Sequence, residues 1–317
     1  MPDNQFVPPY QLKTPVLFLV FNRPDTTKQV FEAIRKARPA KLYVAADGLR
    51  ENNETDAQNI KQVKAIVTNV DWNCELKTLF RNENLGCKIA VSSAIDWFFE
   101  NEEEGIILED DCLPHASFFR FCEELLDKYR EDKRICMISG DNFQFGRKRT
   151  EYSYYFSRYP HIWGWASWRR VWRNYDVNME LWPKIRRDNW LYGYLWEKEC
   201  VEHWTEIFDN VYEGKIDTWD YQWVFTSWIQ NSLVILPNVN LVSNIGFGES
   251  ATHTTKTNIL AQLEAGPIKF PLLHPPFMLR DCVADRYTEK LEKSLSTKPI
   301  FLKIVDKLRS ILKYLFK

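Results

Sequence analysis

The sequence predicts an α/β fold built on a mostly parallel, twisted sheet with helices on both faces. Short apolar runs alternate with amphipathic helical patterns through the first half of the chain, at roughly thirty residues per strand–helix step. The first run, over 16–21, is continuously apolar, which is typical of a strand buried on both faces of a parallel sheet. Helices on both sides of that sheet would bury all of their apolar stripes.

Four strand–helix units are predicted in order between residues 16 and 129. The strands are predicted over 16–21, 42–46, 76–80 and 105–108, because each is a short segment rich in apolar residues. The helix after each strand has apolar residues at helical spacing. In chain order these stripes are Val30, Phe31 and Ile34; Ile60, Val63, Val67 and Val70; Ala90, Ala94, Trp97 and Phe98; and Phe118, Phe121, Cys122, Leu125 and Tyr129.

Composition narrows the classes of function open to this chain. Its 317 residues are enough to bury a large core. Lys and Arg total 42 against 43 Asp and Glu, and the resulting net charge of −1 gives no general attraction to nucleic acid. The seven cysteines are scattered without a C-x-x-C pair, which favours buried, reduced thiols over a zinc site or a disulfide framework.

The usual nucleotide-binding loops are missing from the sequence. No G-x-x-x-x-G-K-[ST] occurs, and no G-x-G-x-x-G follows the first predicted strand. The apolar run over 16–21 is too short to span a bilayer, and it lacks the basic lead-in and cleavage site of a signal peptide. We therefore expect a cytoplasmic protein, either free or peripheral on the inner face of the membrane.

Polar side chains follow every predicted strand, at the sheet edge where ligands bind in such folds. In strand order they are Asn22 and Arg23, then Asp47, then 81–86, and finally Glu109, Asp110 and Asp111. Because the carboxyl ends of parallel strands meet at one edge, we expect these charges to converge on a single site.

The acidic triplet Glu109, Asp110 and Asp111 is the strongest candidate for chemistry. Three adjacent carboxylates repel one another and need a counter-charge, most simply a divalent cation completed by water and substrate phosphates. In a second interpretation the acids cap the next helix and bind nothing. A phosphotransferase of the haloacid type also uses paired aspartates, but after the first strand, which here ends in Asn22 and Arg23.

At these residues the sequence resembles the sugar-nucleotide-dependent glycosyltransferases of the GT-A fold, which carry a D-x-D-type acidic motif after the fourth strand. Within them it is similar to N-acetylglucosaminyltransferase I and its bacterial relatives. The segment over 107–119, I-L-E-D-D-C-L-P-H-A-S-F-F, carries the likeness, which extends with gaps from Pro15 to Thr254. The resemblance implies the GT-A fold, with a nucleotide-binding half over 14–140 and an acceptor half over 141–258.

The resemblance also implies roles at the donor. Arg23 and Asp47 match positions that hold the nucleotide base and its phosphates. Glu109 and Asp110 match positions that face the ribose and the donor sugar. Asp111 matches the protein's ligand to a manganese or magnesium ion that bridges to the diphosphate.

Two later segments match the family as well. The Gly-Trp step at Trp165 and the glycine-containing loop that begins at Gly246 match segments of the family, and we expect both residues in the nucleotide-sugar site. The loop is rich in Gly, Ser and Thr, a composition typical of a lid that orders on donor binding. His253 at its end has three open interpretations: a second metal ligand, a phosphate contact, or neither.

Glycosyl transfer with inversion needs a carboxylate that takes the proton of the acceptor hydroxyl. The departing nucleoside diphosphate also needs charge stabilisation, which a metal supplies. The resemblance matches the base to Asp220, which is flanked by Trp219 and Tyr221. Asp217 is the second choice for the same role, and a helix N-cap is the alternative interpretation of Asp220.

Tryptophan is concentrated in the second half of the chain, where 11 of the 13 fall between residues 163 and 228. Indole faces stack on the apolar faces of sugar rings, so an acceptor groove is one interpretation, and packing in the core is the other. We expect a few of them to contact carbohydrate, foremost Trp163 and Trp165, and the rest to pack.

The composition changes again near the C-terminus. Apolar residues over 299–317 form one stripe with Lys and Arg on the other faces, which predicts a cationic amphipathic helix. Such a helix binds anionic lipid, or it docks on its own domain or a dimer partner; both interpretations stay open. The proline-containing segment 259–298 is predicted as a tether wrapped over the core, so the catalytic domain is predicted over 1–258.

Together these features predict a metal-dependent inverting glycosyltransferase. Its donor is a nucleoside-diphosphate sugar, UDP-linked by resemblance alone, and its acceptor a glycan or lipid-linked glycan. The alternative is a nucleotide-sugar- or carbohydrate-binding protein that keeps the fold without turnover. The joint presence of Arg23, Asp111 and Asp220 favours the enzyme.

Overall fold

Eight strands join into one sheet in the computed structural model, which describes residues 11–51, 53–246, 260 and 263–296. Two further strands, β5 and β10, pair with each other. In chain order the strands are β1 (Val16–Val20), β2 (Lys41–Ala46), β3 (Glu75–Phe80), β4 (Glu104–Glu109), β5 (Cys112–Pro114), β6 (Ile135–Ser139), β7 (Tyr154–Ser157), β8 (Trp165–Trp168), β9 (Leu233–Pro237) and β10 (Val242–Asn244).

The predicted mostly parallel sheet is confirmed. Its strands lie in the order β3-β2-β1-β4-β8-β6-β9-β7, and of these eight β8 and β7 run antiparallel to their neighbours. Val16 of β1 lies opposite Leu42 of β2 and Ile106 of β4, so β1 is a central strand. All five of its residues are buried, which accounts for its unbroken apolar run.

Helices follow each of the first four sheet strands as predicted. α1 buries Val30, Phe31 and Ile34 on one face, as their spacing indicated. The described helices are α1 (Pro24–Ala37), α2 (Glu54–Thr68), α3 (Gly86–Asn101), α4 (Ala116–Tyr129), α5 (Arg169–Trp172), α6 (Trp182–Arg187), α7 (Trp190–Leu195), α8 (Lys198–Tyr212), α9 (Asp220–Ile229) and α10 (Cys282–Ser296).

The sheet reverses its direction of growth at β1. β2 and β3 are added on one side of β1, whereas β4 is added on the other. Right-handed crossovers then place α1 and α2 on one face and α3 on the opposite face. α1 packs on α2, while α3 packs on β1 and β2. A reversal of this kind opens a crevice at the carboxyl ends of the strands that flank it.

The short ribbon of β5 and β10 lies directly beyond the end of β4. The two strands are antiparallel, with Val242 opposite Pro114 and Asn244 opposite Cys112. The N–H of Ile245 donates to the carbonyl oxygen of Asp111 at 2.8 Å. The ribbon therefore brings the end of β10 onto the last acid of the triplet.

A second apolar cluster forms apart from the sheet. It lies among α6, α7, α8 and α9, where Trp204 contacts Phe208 and Trp228, with ring centroids 5.5 Å and 4.7 Å apart. The opposite side of α9 joins the main core through Trp223. Helix α9 is thus held by both clusters.

Helix α10 occupies the end of the segment predicted as a tether. It buries a polar face, with Asp285, Thr288 and Glu289 all inside. Glu289 pairs with the buried Arg158 and accepts the hydroxyl of Tyr159. Helix α10 therefore docks in part through polar side chains that pair with residues distant in the sequence.

The predicted amphipathic helix over 299–317 lies outside the described residues. None of the described helices is both long and apolar enough to cross a membrane.

We predict that Glu289→Ala destabilises the protein by about 3–5 kcal/mol, because it leaves the Arg158 guanidinium buried without its partner. The free energy of unfolding, measured in urea, is the test. The matched control is Lys290→Ala, which removes a neighbouring exposed charge from the same helix. A loss of less than about 1 kcal/mol in Glu289→Ala would contradict the buried docking of α10.

Candidate functional site

The carboxyl ends of β1, β2 and β4 and the start of α9 face one cavity of about 740 Å³. This volume lies within the range of small-molecule and cofactor sites. Eight of the ten predicted site residues line it: Arg23, Asp47, Glu109, Asp110, Asp111, Asp217, Asp220 and Gly246. The expected convergence of charged strand ends is therefore present in the structure.

Arg23 lies between the last two acids of the triplet. Its Nη1 donates to Asp111 Oδ2 at 2.9 Å, and its Nη2 pairs with Asp110 Oδ1. Asp110 also accepts the backbone N–H of Phe21 at 3.2 Å, so it ties the turn after β4 to the end of β1. Its side chain is 3% exposed, against 21% for Arg23 and 15% for Asp111. Part of the counter-charge expected from a metal is thus supplied by an arginine.

Glu109 is the acid of the triplet that Arg23 does not pair with. In the described part of the chain its carboxylate makes no hydrogen bond or ion pair, and it lines the cavity. Burial, followed by the charges of Asp111 and Asp110, raises the pKa of Glu109 well above its ordinary value. Burial also raises the pKa of Asp110, against the opposing effect of Arg23. The triplet therefore carries less negative charge at neutral pH than three free carboxylates would.

The interpretation of the triplet as a helix cap is wrong. Helix α4 begins at Ala116, after the intervening strand β5. His115 is its N-cap, and its Nδ1 accepts the backbone N–H of Ser117 at 3.1 Å. The acids are thus left to the cavity and to Arg23.

Gly246 lies against the Arg23–Asp111 pair. A Cβ at this position would be 2.2 Å from Asp111 Oδ2 and 2.7 Å from Arg23 Nη1, so no larger residue fits without displacing the pair. The N–H of Gly246 donates to Asn244 Oδ1 at 2.9 Å. The first residue of the predicted lid is therefore fixed on the triplet. The rest of that loop, including His253, lies outside the described residues.

Asp220 faces the cavity from the other side, as the first residue of α9. The N-cap is Trp219 and not Asp220, so the alternative interpretation of Asp220 as an N-cap is wrong. The hydroxyl of Thr218 donates to Asp220 Oδ1. Gln222 Nε2 in turn donates to the carbonyl oxygen of Thr218 at 2.8 Å. The carboxylate of Asp220 is therefore oriented by Thr218, in the turn that leads into α9.

Asp47 and Asp217 both lie at the start of α3. Asp47 accepts the N–H of Leu85 at 3.0 Å and that of Gly86 at 3.2 Å. Asp217 accepts the N–H groups of the next two residues at 3.1 and 3.2 Å. Both carboxylates line the cavity while bonding to backbone groups that a helix start leaves unpaired.

Trp165 does not lie in the cavity, which corrects the expectation that it contacts the donor. It is fully buried in β8 and stacks on Trp219 with ring centroids 5.8 Å apart. Trp172 and Trp223 complete this pile. Trp165 lies in a strand that pairs with β4 inside the sheet. Trp163, two residues earlier, is half-buried and does line the cavity.

Two further arginines, Arg81 and Arg50, line the cavity. Arg81 belongs to the polar segment 81–86 that follows β3, and it donates to Ser93 Oγ at 2.7 Å. Arg50 pairs with the buried Asp56 at 2.7 Å and lies over the Phe21 ring. No local pattern marks Arg50, because tertiary contacts place it.

The donor set of the triplet suits a hard cation that shares its shell with a ligand. Such ions take one or two carboxylates and complete the shell with water and phosphate oxygens. In the described residues the three acids do not bring one oxygen each within 4.8 Å of one another, so they form no closed cage. Asp111 and Glu109, whose carboxylates line the cavity, are the residues that fit such an ion.

No protein-family model matches this chain, and neither does any curated protein. Among solved structures it is similar to UDP-glucose pyrophosphorylase complexed with UDP-glucose, at 11% identity over 51% of this chain and 78% of that one, with a TM-score of 0.31. Apo UDP-glucose pyrophosphorylase matches at 9% identity over 71% and 90%, with a TM-score of 0.35. HddC from Yersinia pseudotuberculosis matches at 10% identity over 51% and 80%, with a TM-score of 0.31. Likenesses this low carry no conclusion about the chemistry of this chain.

We predict that Arg23→Gln destabilises the protein by about 3 kcal/mol at neutral pH, because Asp110 is left buried without its cation. The loss shrinks as the pH falls through the raised pKa of Asp110, since the neutral acid needs no cation. Urea unfolding between pH 4 and 8 measures it. The control is Arg173→Gln, which removes an exposed arginine. A loss that is the same at every pH would contradict the charge-balance account.

Proposed function

We propose that this chain is a metal-dependent inverting glycosyltransferase. It moves a sugar from a nucleoside-diphosphate sugar, UDP-linked, to a hydroxyl of a glycan or lipid-linked glycan. The observation that carries the proposal is the placement of two separate acidic groups on one cavity. Glu109 and Asp111 face it from the end of β4, and Asp220 faces it from α9.

The donor fits the sheet side of the cavity. Arg23, Arg50 and Arg81 line that side, and a guanidinium is well suited to bind phosphate oxygens. Asp111, with Glu109 beside it, would hold a manganese or magnesium ion. When bound, that ion supplies positive charge to the departing diphosphate. Arg23 adds charge of the same sign and reaches Asp111 already.

The acceptor fits the α9 side. Trp163 and Tyr221 line the cavity there with half-buried rings that suit the apolar faces of a sugar. Asp220 takes the proton of the acceptor hydroxyl while the oxygen of that hydroxyl bonds to the anomeric carbon. The bond from that carbon to the diphosphate oxygen breaks, and the nucleoside diphosphate leaves. Attack opposite the leaving group inverts the anomeric centre.

We also propose that segment 299–317 contacts a membrane, which would bring the enzyme to a lipid-linked acceptor. The cationic amphipathic pattern of that segment supports it.

We predict that Asp220→Asn lowers the turnover of sugar transfer by roughly 10²- to 10⁴-fold, because the acceptor hydroxyl loses its base. Binding of nucleoside diphosphate with manganese, read as a rise in melting temperature, stays intact in this variant. Asp111→Asn should lose both turnover and the manganese-dependent part of that rise. Release of nucleoside diphosphate from a panel of nucleotide sugars is the activity measurement. Asp188→Asn, an exposed acid outside the cavity, is the control.

The outcomes separate the candidate functions. Binding of the nucleotide sugar without release of nucleoside diphosphate would support the non-catalytic alternative. Formation of a nucleoside triphosphate from the nucleotide sugar and added pyrophosphate would contradict sugar transfer and indicate nucleotidyl transfer. No rise in melting temperature with any nucleoside diphosphate, with or without manganese, would contradict every nucleotide-based function.

A further inference from the structure

The first turn of α3 is bonded to two carboxylates that come from distant parts of the chain. Asp47 accepts the first two N–H groups of this turn, and Asp217 accepts the next two. The bonds from Cys87 to Asp217 Oδ2 and from Lys88 to Oδ1 are 3.1 and 3.2 Å long. Both oxygens of Asp217 are thus engaged by α3, across 130 residues of sequence.

Asp217 belongs to the turn that presents Asp220. The next residue, Thr218, donates its hydroxyl to Asp220 Oδ1, and its carbonyl oxygen accepts Gln222 Nε2. A displacement of Asp217 would therefore move the turn that orients Asp220. The other end of the connection, α3, packs on β1 and β2, and β1 pairs with β4, the strand that leads into the acidic triplet.

The fit of Asp217 on α3 requires a glycine. Gly86 has φ +75°, in the left-handed region, and a Cβ there would lie 2.8 Å from Asp217 Oδ2. Any side chain at position 86 would push against the carboxylate. The local backbone and the distant acid are thus matched to each other.

We infer that Asp217 is a positioning residue that clamps the start of α9 to the start of α3. It holds Asp220 at its place opposite the acids that follow β4. Its helix-bound oxygens make it a support of the base and not a second base. This inference deepens the proposed function and rests on it for its kinetic test.

The kinetic test compares Asp217→Asn with Asp220→Asn. An amide can accept through one oxygen only, so Asp217→Asn keeps one of the two bonds to α3. Turnover should fall about ten- to a hundredfold, as expected for a displaced catalytic group, while the KM for the donor stays within about twofold. The acidic limb of the pH–rate profile should remain, because Asp220 is still present. Loss of that limb, with a fall in turnover equal to that of Asp220→Asn, would make Asp217 the base and overturn the inference.

Gly86→Ala disturbs the same contact from the side of α3 and leaves every carboxylate of the chain in place. Its matched control is Gly146→Ala, which has the same φ of +75° and open space around its Cβ. Gly86→Ala should lower turnover as Asp217→Asn does, whereas Gly146→Ala should leave it unchanged. The double variant Gly86→Ala, Asp217→Asn should be no slower than the slower single variant, because both break one contact. Additive losses, or wild-type turnover in either single variant, would refute the clamp.

Amide hydrogen exchange keeps the clamp testable if no sugar transfer is found. In Asp217→Ala the first turns of α3 and of α9 should both exchange faster than in the wild type, and Gly146→Ala should change neither. Exchange that rises at α3 alone would show a simple helix cap with no hold on Asp220. An inactive wild type would refute the proposed function, while the exchange rates would still decide whether the clamp exists.

Discussion

The cavity depends on the balance of charge between Arg23 and the acids that follow β4. Carboxylates crowded at the end of a buried strand repel one another unless a cation lies among them. Parallel pairing of β1 with β4 brings Arg23, just past the end of β1, to the acids without any help from a ligand. Gly246 packs on the same pair, so the end of β10 is placed by it as well. The pairing of Arg23 with these acids thus connects the ends of β1, β4 and β10 at the cavity.

A tethered guanidinium and a bound metal ion are not equivalent counter-charges. Arg23 is part of the chain, so it compensates Asp110 and Asp111 whether or not an ion is bound. Its Nη1 donates to Oδ2 of Asp111, and that carboxylate has further lone pairs that would stay open to an ion. Under the proposed function, Asp111 would hold the ion while Arg23 would donate hydrogen bonds to the diphosphate beside it. The two positive charges would then act on the same leaving group.

Local patterns in the sequence predict the strand ends that line the cavity well. They predict the elements after β6, on the α9 side of the cavity, poorly. The strands β1 to β4 are rich in apolar residues, and the polar residues that end them converge because parallel strands share an edge. Trp165 lies outside the cavity, contrary to expectation, because the strand it begins pairs antiparallel with β4 and is fully buried. Helix α10 docks in part through the buried side chains of Asp285 and Glu289. Such contacts pair residues far apart in the chain, and no window of sequence contains both partners.

The stacked tryptophans behind the cavity hold helix α9 in place. Trp219, next to Asp220, is stacked on Trp165 of the central sheet and accepts the Tyr175 hydroxyl on its carbonyl at 3.0 Å. Trp223, one turn further along α9, packs in the same pile. Large, flat side chains with few rotatable bonds resist displacement once buried, so they hold the axis of α9 against the sheet. Packing therefore determines where the helix lies, and the polar bonds of the turn before it determine where the carboxylate of Asp220 points. Four of the indoles in this half of the chain form this support, those of Trp165, Trp172, Trp219 and Trp223, while Trp163 lies at the cavity.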